Sequence, residues 1–547
     1  MTKHHAPYFL PEPPGTGGGV DYLGLRAINL MMMDRLFTGL NNVAGSIRPF
    51  ALMAWTIWHY RKTCTEAGAP LSSSEYRKFR EKIETLYIWS HQEVQLHSGI
   101  PGAGQRSVSG GAVRLAFDTF ARGENNTFLA AINYGPALKG ASGIGFAVTV
   151  ADGLFDVTAA GIELAQAFDS ALRAGLSDTR YRFLASLTDM VIDAVDVKPY
   201  VDAWRITTPS KAEQQVFLTY LYQPNQSGQA TSAGLRTDAI NLALSTLEAT
   251  GRAMTLNQLR QAMAVPAAYA YETTGPMLLR DVRIRWQVLL VRQAQRLATE
   301  ALFGWLERSI WDNGARSTAE VGALMTDAIR SIKPDSTIDN LLAERVSTYQ
   351  VVSNANQMFA LSLINPDLDV VQRAVNLEAK AATRKKDDTV PADAFDLLAL
   401  CAVYAEHFDN DPDAKKVAAE GSAHRLPLAW WARTVRLNTT KPFSLFLETF
   451  IETWLVSQHL AVAASRFDDD NGRMRLSIED GGLVSVLAAR KDCWSPQLSA
   501  DRLGTALSLL NQCGVISVNS GNKLNAATYA LASKPINTDV HPAVVTA

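Results

Sequence analysis

The sequence predicts a mainly α, multi-domain helical protein that closes with a small winged-helix-like α+β module. Three observations predict it. Apolar residues recur at steps of three, four and seven through most of the chain, which gathers them on one face of a helix. At 547 residues the chain exceeds one hydrophobic core, so several domains of roughly 100 to 200 residues are expected. Beyond Lys441 the pattern shortens and alternates, and a helix is followed by two strand-like runs.

Hydrophobic residues make up 47% and charged residues 19%, with a formal net charge of -2. Such a balance gives no general attraction for nucleic acid or an anionic membrane, so any such binding must be local. Residues 1–19 are rich in Pro and Gly and hold no continuous apolar core, which predicts a flexible leader and not a signal peptide. The longest apolar runs, Pro49–Trp58 and Gly143–Val150, fall short of the roughly 18 residues a spanning helix needs, so no membrane contact is expected. Cys64, Cys401, Cys493 and Cys513 are scattered, without a C-x-x-C pair or a His at zinc spacing. They predict structural thiols in a reducing cytoplasm.

A first helical domain is expected over 20–234. Leu23, Leu25, Ile28, Leu30, Met31, Met32, Leu36 and Phe37 form one broad stripe that Gly39 stops, and a second helix runs from about Arg48 through Trp55 and Trp58. Together they predict a buried helical hairpin. Ser74–His97 reads as a charge-rich surface helix that ends before Gly99, Pro101 and Gly102. The Gly- and Ser-rich segment after it lacks the Lys-Ser/Thr pair of a phosphate loop, since Arg106 and Arg114 stand elsewhere, and the glycines at 140, 143 and 145 reverse the dinucleotide order. Both clusters are read as turns or close packing. Thr158–Met190 is helical with a break around Gly175–Asp178, Trp204–Tyr222 is another helix, and the polar run Gln223–Gly234 ends the domain.

A middle helical domain, 235–382, opens with two short helices in Thr237–Met263 joined near Gly251. The longest helix, Leu278–Trp311, places Val282, Trp286, Leu290, Leu297, Ala301 and Trp305 on one face and Arg285, Arg292 and Arg296 away from it. Such an arginine stripe is a solvated helix face, or else a seat for phosphates or an acidic partner surface. Helices follow over Thr318–Ser331, Ile338–Ile364 and Leu368–Ala382. A helical connector, 383–440, begins at the charged TRKKDDTVP and holds an apolar helix Ala392–His407, an acidic loop, and Pro427–Leu437 with Trp430 and Trp431 between two arginines. The C-terminal module, 441–547, reads as an amphipathic helix Pro442–Phe467, a strand Arg473–Ile478, helices Leu483–Ala489 and Ser499–Cys513, and strands Val515–Val518 and Ala526–Leu531.

Three constellations suggest chemistry, and each has a plainer reading. Asp367, Glu378 and Lys380 match the short pattern of a metal-dependent nuclease, but NLEAKAATRKK is helical, and residues 378 and 380 then point about 200° apart, so they do not converge on one ion. Asp409, Asp411, Asp413 and Glu420 fall at calcium-loop positions 1, 3, 5 and 12, yet Ala414 stands where the turn needs Gly and Pro412 stiffens it, which favours an acidic surface loop. His91 and His97 are six apart and do not stack on one helix face, while His407 and His424 only flank the acidic loop. No cofactor or metal site is therefore expected, and the reading favours a non-enzymatic chain. Nucleic-acid contacts, if made, fall to Arg285, Arg292, Arg296, Arg502 and Lys523. From Lys441 onward there are nine basic against ten acidic residues, and the recognition helix exposes Asp501, Arg502, Thr505, Ser508, Asn511 and Gln512, which suits a protein contact at least as well as duplex DNA.

The opening stretch, Val20-Asp21-Tyr22-Leu23-Gly24-Leu25, then Asp34-Arg35-Leu36-Phe37-Thr38-Gly39, Ile47-Arg48-Pro49-Phe50 and Trp55, resembles the N-terminal block of an uncharacterised bacterial family met in anti-phage defence neighbourhoods. Where that family carries the first Arg of an R-A-R element, a Tyr and a Pro, this chain has Ser46, Pro49 and Thr38, so half of any phosphate site made by those arginines is missing. The resemblance implies a setting and no activity. The expected function is a non-enzymatic helical scaffold or adaptor in a multi-protein anti-phage defence system, working with a separately encoded ATPase, helicase or nuclease. A DNA- or RNA-binding sensor subunit is the first alternative and a metal-dependent nuclease the second. The expected partners are other protein subunits of a defence complex.

Overall fold

A computed structural model describes residues 21–96, 99–103, 114–116, 127–140, 143–151, 153–223, 232–266, 277–332, 338–382, 387–465, 474–487, 489–519 and 526–532. The expected leader 1–19, the region of Arg106, the polar run 224–231, part of the charged connection at 383–386, His97 and Lys523 lie outside the described residues. The protein is mainly helical, with 66% helix against 7% strand, as the periodicity predicts. Its chain divides into two compact units, one made of residues 1–32 and 260–499, the other of 33–259 and 500–547. This division differs from the five consecutive segments expected, because the C-terminal stretch is shared between the units.

Asp21 starts helix α1 (Arg26–Leu36) by accepting the Arg26 N–H at 3.0 Å. Beyond it Gly39 takes φ +81, where a Cβ would meet the Gly143 backbone at 2.6 Å, so only glycine fits the expected stop. Helix α2 (Ile47–Glu66) is buried from Ile47 to Ile57 and packs against α4 (Ala159–Gly175). Between them in sequence, α3 (Ser73–Gln92) is capped by Ser72. The expected helix Trp204–Tyr222 is broken: a short helix ends at Trp204, and Pro209 and Ser210 restart the chain as α5 (Lys211–Leu221), with a capping box between Ser210 and Glu213. Two small antiparallel pairs, β1 (Arg114–Ala116) with β4 (Val191–Asp193) and β2 (Ala147–Ala151) with β3 (Leu154–Val157), flank these helices in sequence. Helix α6 (Ser232–Thr250) is followed by a two-residue strand β5 (Met254–Thr255) and α7 (Leu256–Met263). Two helices are present where two short ones were expected over Thr237–Met263, the first longer and starting at Ser232; the strand between them was too brief to leave a period.

The unit formed by 1–32 and 260–499 is built around α8 (Met277–Asn313). Apolar residues occur all the way round this helix, and Ile284, Trp286, Leu289, Val291, Leu297, Leu302, Phe303 and Leu306 are all buried. A helix apolar on every side must be enclosed. It is enclosed by α12 (Val370–Ala381), α13 (Val390–Asp409) and α14 (Pro412–Ala418), after α9 (Thr318–Ile332), α10 (Leu341–Tyr349) and α11 (Ala355–Ser362) in the chain. Then come α15 (Leu428–Asn438), α16 (Phe443–Phe450), a π-helical stretch Ile451–Ser457, and α17 (Gln458–Ser465). Residues 483–489, expected as helix, instead contribute strand β7 (Gly482–Ser485), paired with β6 (Leu476–Glu479) in the register Glu479↔Gly482. The reason is the turn: Asp480-Gly481 is a hairpin signal and Gly482 sits at φ +100, a geometry a helix cannot use.

The last pieces return to the unit of 33–259. Helix α18 (Leu503–Gln512) leads into β8 (Ile516–Asn519) and β9 (Thr528–Leu531), as expected. Strand β9 lies between β5 and β8, so the sheet order is β5-β9-β8 and all pairs are antiparallel. Helix α6 packs on β9 and α18 on β8.

Candidate functional site

The arginine stripe is not a solvated face. Arg292 is fully buried and Arg296 is 3% exposed, because α8 is enclosed by other helices. Arg292 donates to the carbonyls of Leu25 at 3.2 Å and Arg425 at 2.6 Å and to the Gln295 side chain at 2.7 Å. Burial pulls its guanidinium down to about 9. Arg296 donates from Nη1 to both carboxylate oxygens of Glu300, at 2.9 and 3.0 Å, and from Nη2 to the Gln497 carbonyl at 2.6 Å. Arg285, partly exposed, pairs with Glu420 at 3.3 Å. The sequence placed these residues correctly away from the Val282–Trp305 face, but that face was one of several buried ones.

The same device recurs through both units. Arg48 donates to the carbonyls of Ala203 and Thr208 at 2.9 Å each and pairs with buried Glu213 at 3.3 Å, while Arg236 holds the carbonyls of Leu221, Thr38 and Tyr220. Trp55 donates to Asp169 at 2.8 Å. Arg475 forks onto Glu307, with both side chains buried. His91 and His459 share one arrangement: Nδ1 faces a carbonyl, of Tyr87 at 2.8 Å and Tyr22 at 3.2 Å respectively, and Nε2 accepts a backbone N–H, from Ile206 at 2.9 Å and Arg475 at 3.0 Å. Carbonyl and amide partners fix the neutral tautomer, and burial depresses both rings to about 4. These polar side chains satisfy the backbone of irregular segments inside a helical core.

Most of the remaining predicted residues among those described also have structural partners. Of the expected exposed face of the recognition helix only Asn511 is exposed. Asp501 and Thr505 are buried, Ser508 and Gln512 donate to the Gly45 carbonyl at 2.8 and 3.0 Å, and the Gln512 side-chain oxygen accepts the Ile47 N–H. Arg502, at the N-cap of α18, pairs with Asp34. Glu378 accepts the Leu498 N–H at 2.8 Å, and Lys380 pairs with Asp393, so the nuclease pattern does not assemble. The acidic loop is largely helix α14. Asp411 caps it, Asp411 and Asp413 bind Arg280 at 2.7 and 2.6 Å, and Glu420 meets Arg285. Among the described residues no group of three or more His, Cys, Asp or Glu is placed to hold a metal ion.

One surface feature is not absorbed into the core. Trp430 and Trp431 part company: Trp431 is buried and donates to the Leu398 carbonyl at 2.9 Å, whereas Trp430 is 40% exposed. Trp430, Arg433 and Leu437 stand at i, i+3 and i+7 on the outer face of α15, and Leu437 is 63% exposed. They line a cleft of about 620 Å³, with Arg436, Lys415 and Asp409 at its margins and small residues such as Ala419, Gly421 and Ala423 along it. The Arg433 guanidinium lies over the Trp430 ring, 5.6 Å from its centre. Asp409 is shared by Lys415 at 3.9 Å and Arg436 at 3.7 Å, and Arg436 also meets Glu406 at 3.5 Å. The sequence flagged the paired tryptophans between arginines; the signal that would have separated them is that Trp430 shares its face with Arg433 at i+3, while Trp431 shares its face with Leu428 and Val435. No family model matches the chain, and no curated protein or solved structure matches it either.

Proposed function

We propose that this protein is a helical scaffold or adaptor subunit of a multi-protein bacterial anti-phage defence system, working in the cytoplasm beside a separately encoded ATPase, helicase or nuclease. The setting rests on the opening stretch, whose Asp21, Gly39, Arg48 and Trp55 here serve as cap, turn and buried anchors. The observation that carries the reading is where the arginines go. Arg285, Arg292, Arg296 and Arg502 are engaged by internal carboxylates or backbone carbonyls, which weighs against a phosphate-binding stripe, and an exposed apolar and basic cleft remains on α15.

The finer reading of the sheet belongs with it. Helix α6, strand β5 and helix α7, followed after a long insertion by α18, β8 and β9, have the order of a winged helix, and the strand order β5-β9-β8 supports this. Its third helix faces inward onto Gly45 and Ile47, so the module serves protein architecture and not groove reading. No helix among the described residues is long and apolar enough to cross a membrane.

Co-expression with the proteins encoded beside it tests the reading. A complex of fixed stoichiometry that survives nuclease treatment and high salt is expected. A chain that purifies alone, or whose partners leave on nuclease treatment, would overturn it in favour of a nucleic-acid-binding subunit.

A further inference from the structure

We infer that the cleft on α15 is the docking site for an acidic amphipathic helical segment of a partner protein, a reading that rests on the scaffold function above. Trp430 and Leu437 are seven residues apart on one face of a helix, the spacing at which an apolar stripe of a second helix engages. Small residues along the cleft, Ala419, Gly421 and Ala423, leave room for a bulky partner side chain to lie against Trp430.

Charge decides the class of occupant. The basic groups at the cleft are Lys415, Arg433 and Arg436; the acidic groups facing them are Asp409 from the end of α13, between Lys415 and Arg436, and Glu406, beside Arg436. Arg433 has no carboxylate within pairing distance among the described residues and only the Trp430 ring as partner. The surplus is thus a single positive charge. A nucleic-acid strand carries a charge on every phosphate and is held by several cations in a row, which this cleft lacks. A helix with one or two carboxylates beside an apolar stripe matches both the charge and the exposed Trp430 and Leu437. A carboxylate meeting Arg433 on the rim steers the approach, and Trp430, covered on docking, supplies most of the grip.

The test uses the full chain and a short fluorescein-labelled peptide that is helical, with leucines along one face and glutamates flanking them. Anisotropy is expected to report saturable binding that weakens about tenfold when the glutamates become glutamines, and by about tenfold or more in Trp430→Ala and Arg433→Glu. Both residues are exposed, so far-UV melting of the variants should match the parent. Equal binding by parent and variants, or displacement of the peptide by oligo-dT, would overturn the inference. The same variants in the co-expression assay separate it from the scaffold reading. If the parent and both variants retain the neighbouring proteins equally, the cleft is not the docking site and the scaffold reading survives. If the parent retains none while its cleft still binds the peptide, the scaffold reading fails and the peptide-binding site stands.

Discussion

Two histidines carry the clearest titration consequence in the molecule. His91 and His459 are buried, neutral, and depressed to about 4 from an ordinary 6.5, chiefly because burial disfavours the charged ring. The folded state therefore binds fewer protons than the unfolded chain between those values. Stability is complete above pH 6.5 and falls as pH drops towards 4, by about 1.4 kcal/mol per pH unit for each ring. Denaturant midpoints measured from pH 7 to pH 4 should show that slope, and the double variant His91→Gln, His459→Gln should flatten it by about two protons. An unchanged slope would mean that these rings are protonated in the fold. Neither role was legible in the sequence, which offered only a six-residue spacing from His91 to His97 and nothing for His459, because a histidine that accepts a backbone N–H from Ile206 or Arg475 leaves no local pattern.

At the scale of an element, α8 shows why a periodic face can mislead. Its Val282–Trp305 face was readable, yet Ile284, Val291, Leu302 and Phe303 lie on other sides and are as deeply buried. Apolar residues on all sides of a helix announce enclosure, and an arginine in an enclosed helix must find partners inside. The predicted binding stripe consequently splits into unequal members. Arg292→Met leaves the Leu25 and Arg425 carbonyls and the Gln295 side chain short of a donor, and should cost about 3 kcal/mol or more, since buried orphaned acceptors cost roughly 1–3 kcal/mol each. Arg285→Ala removes a partly exposed pair with Glu420 and should cost less than about 1 kcal/mol. Urea unfolding of the two variants should separate them. Loss of DNA affinity in an Arg292 variant would report unfolding, so only Arg285 gives a clean probe of nucleic-acid contact. By contrast, the strands β8 and β9 were readable because each alternates beside a polar turn, while β5 was not, since two residues carry no period and its partner β9 lies far along the chain.

The whole molecule is interleaved in sequence, and this escaped a reading that places domain boundaries at polar or charged runs. The unit of 33–259 is completed by 500–532, whose strand β9 is the centre of its sheet and whose helix α18 carries the buried Leu503, Leu507 and Leu510. The intervening residues behave as an insertion between α7 and α18. Its two ends are close in space within that unit, as a Cβ at Gly504 would stand 3.6 Å from Leu256. Loop closure over such a short gap costs little and grows only slowly with linker length. Residues 33–264 joined to 500–547 by a flexible linker should therefore fold, with a helical far-UV spectrum, an ordered near-UV spectrum and one cooperative unfolding transition. Residues 33–264 alone lack α18, β8 and β9 and leave Met254 on β5 without its strand partner Tyr529, so they should keep helical signal but lose near-UV order and bind hydrophobic dyes. Equal near-UV order and cooperativity in the two proteins would show that the C-terminal strands are an accessory to this unit, and the insertion would then have to be replaced by a C-terminal appendage as the account of how the chain is built.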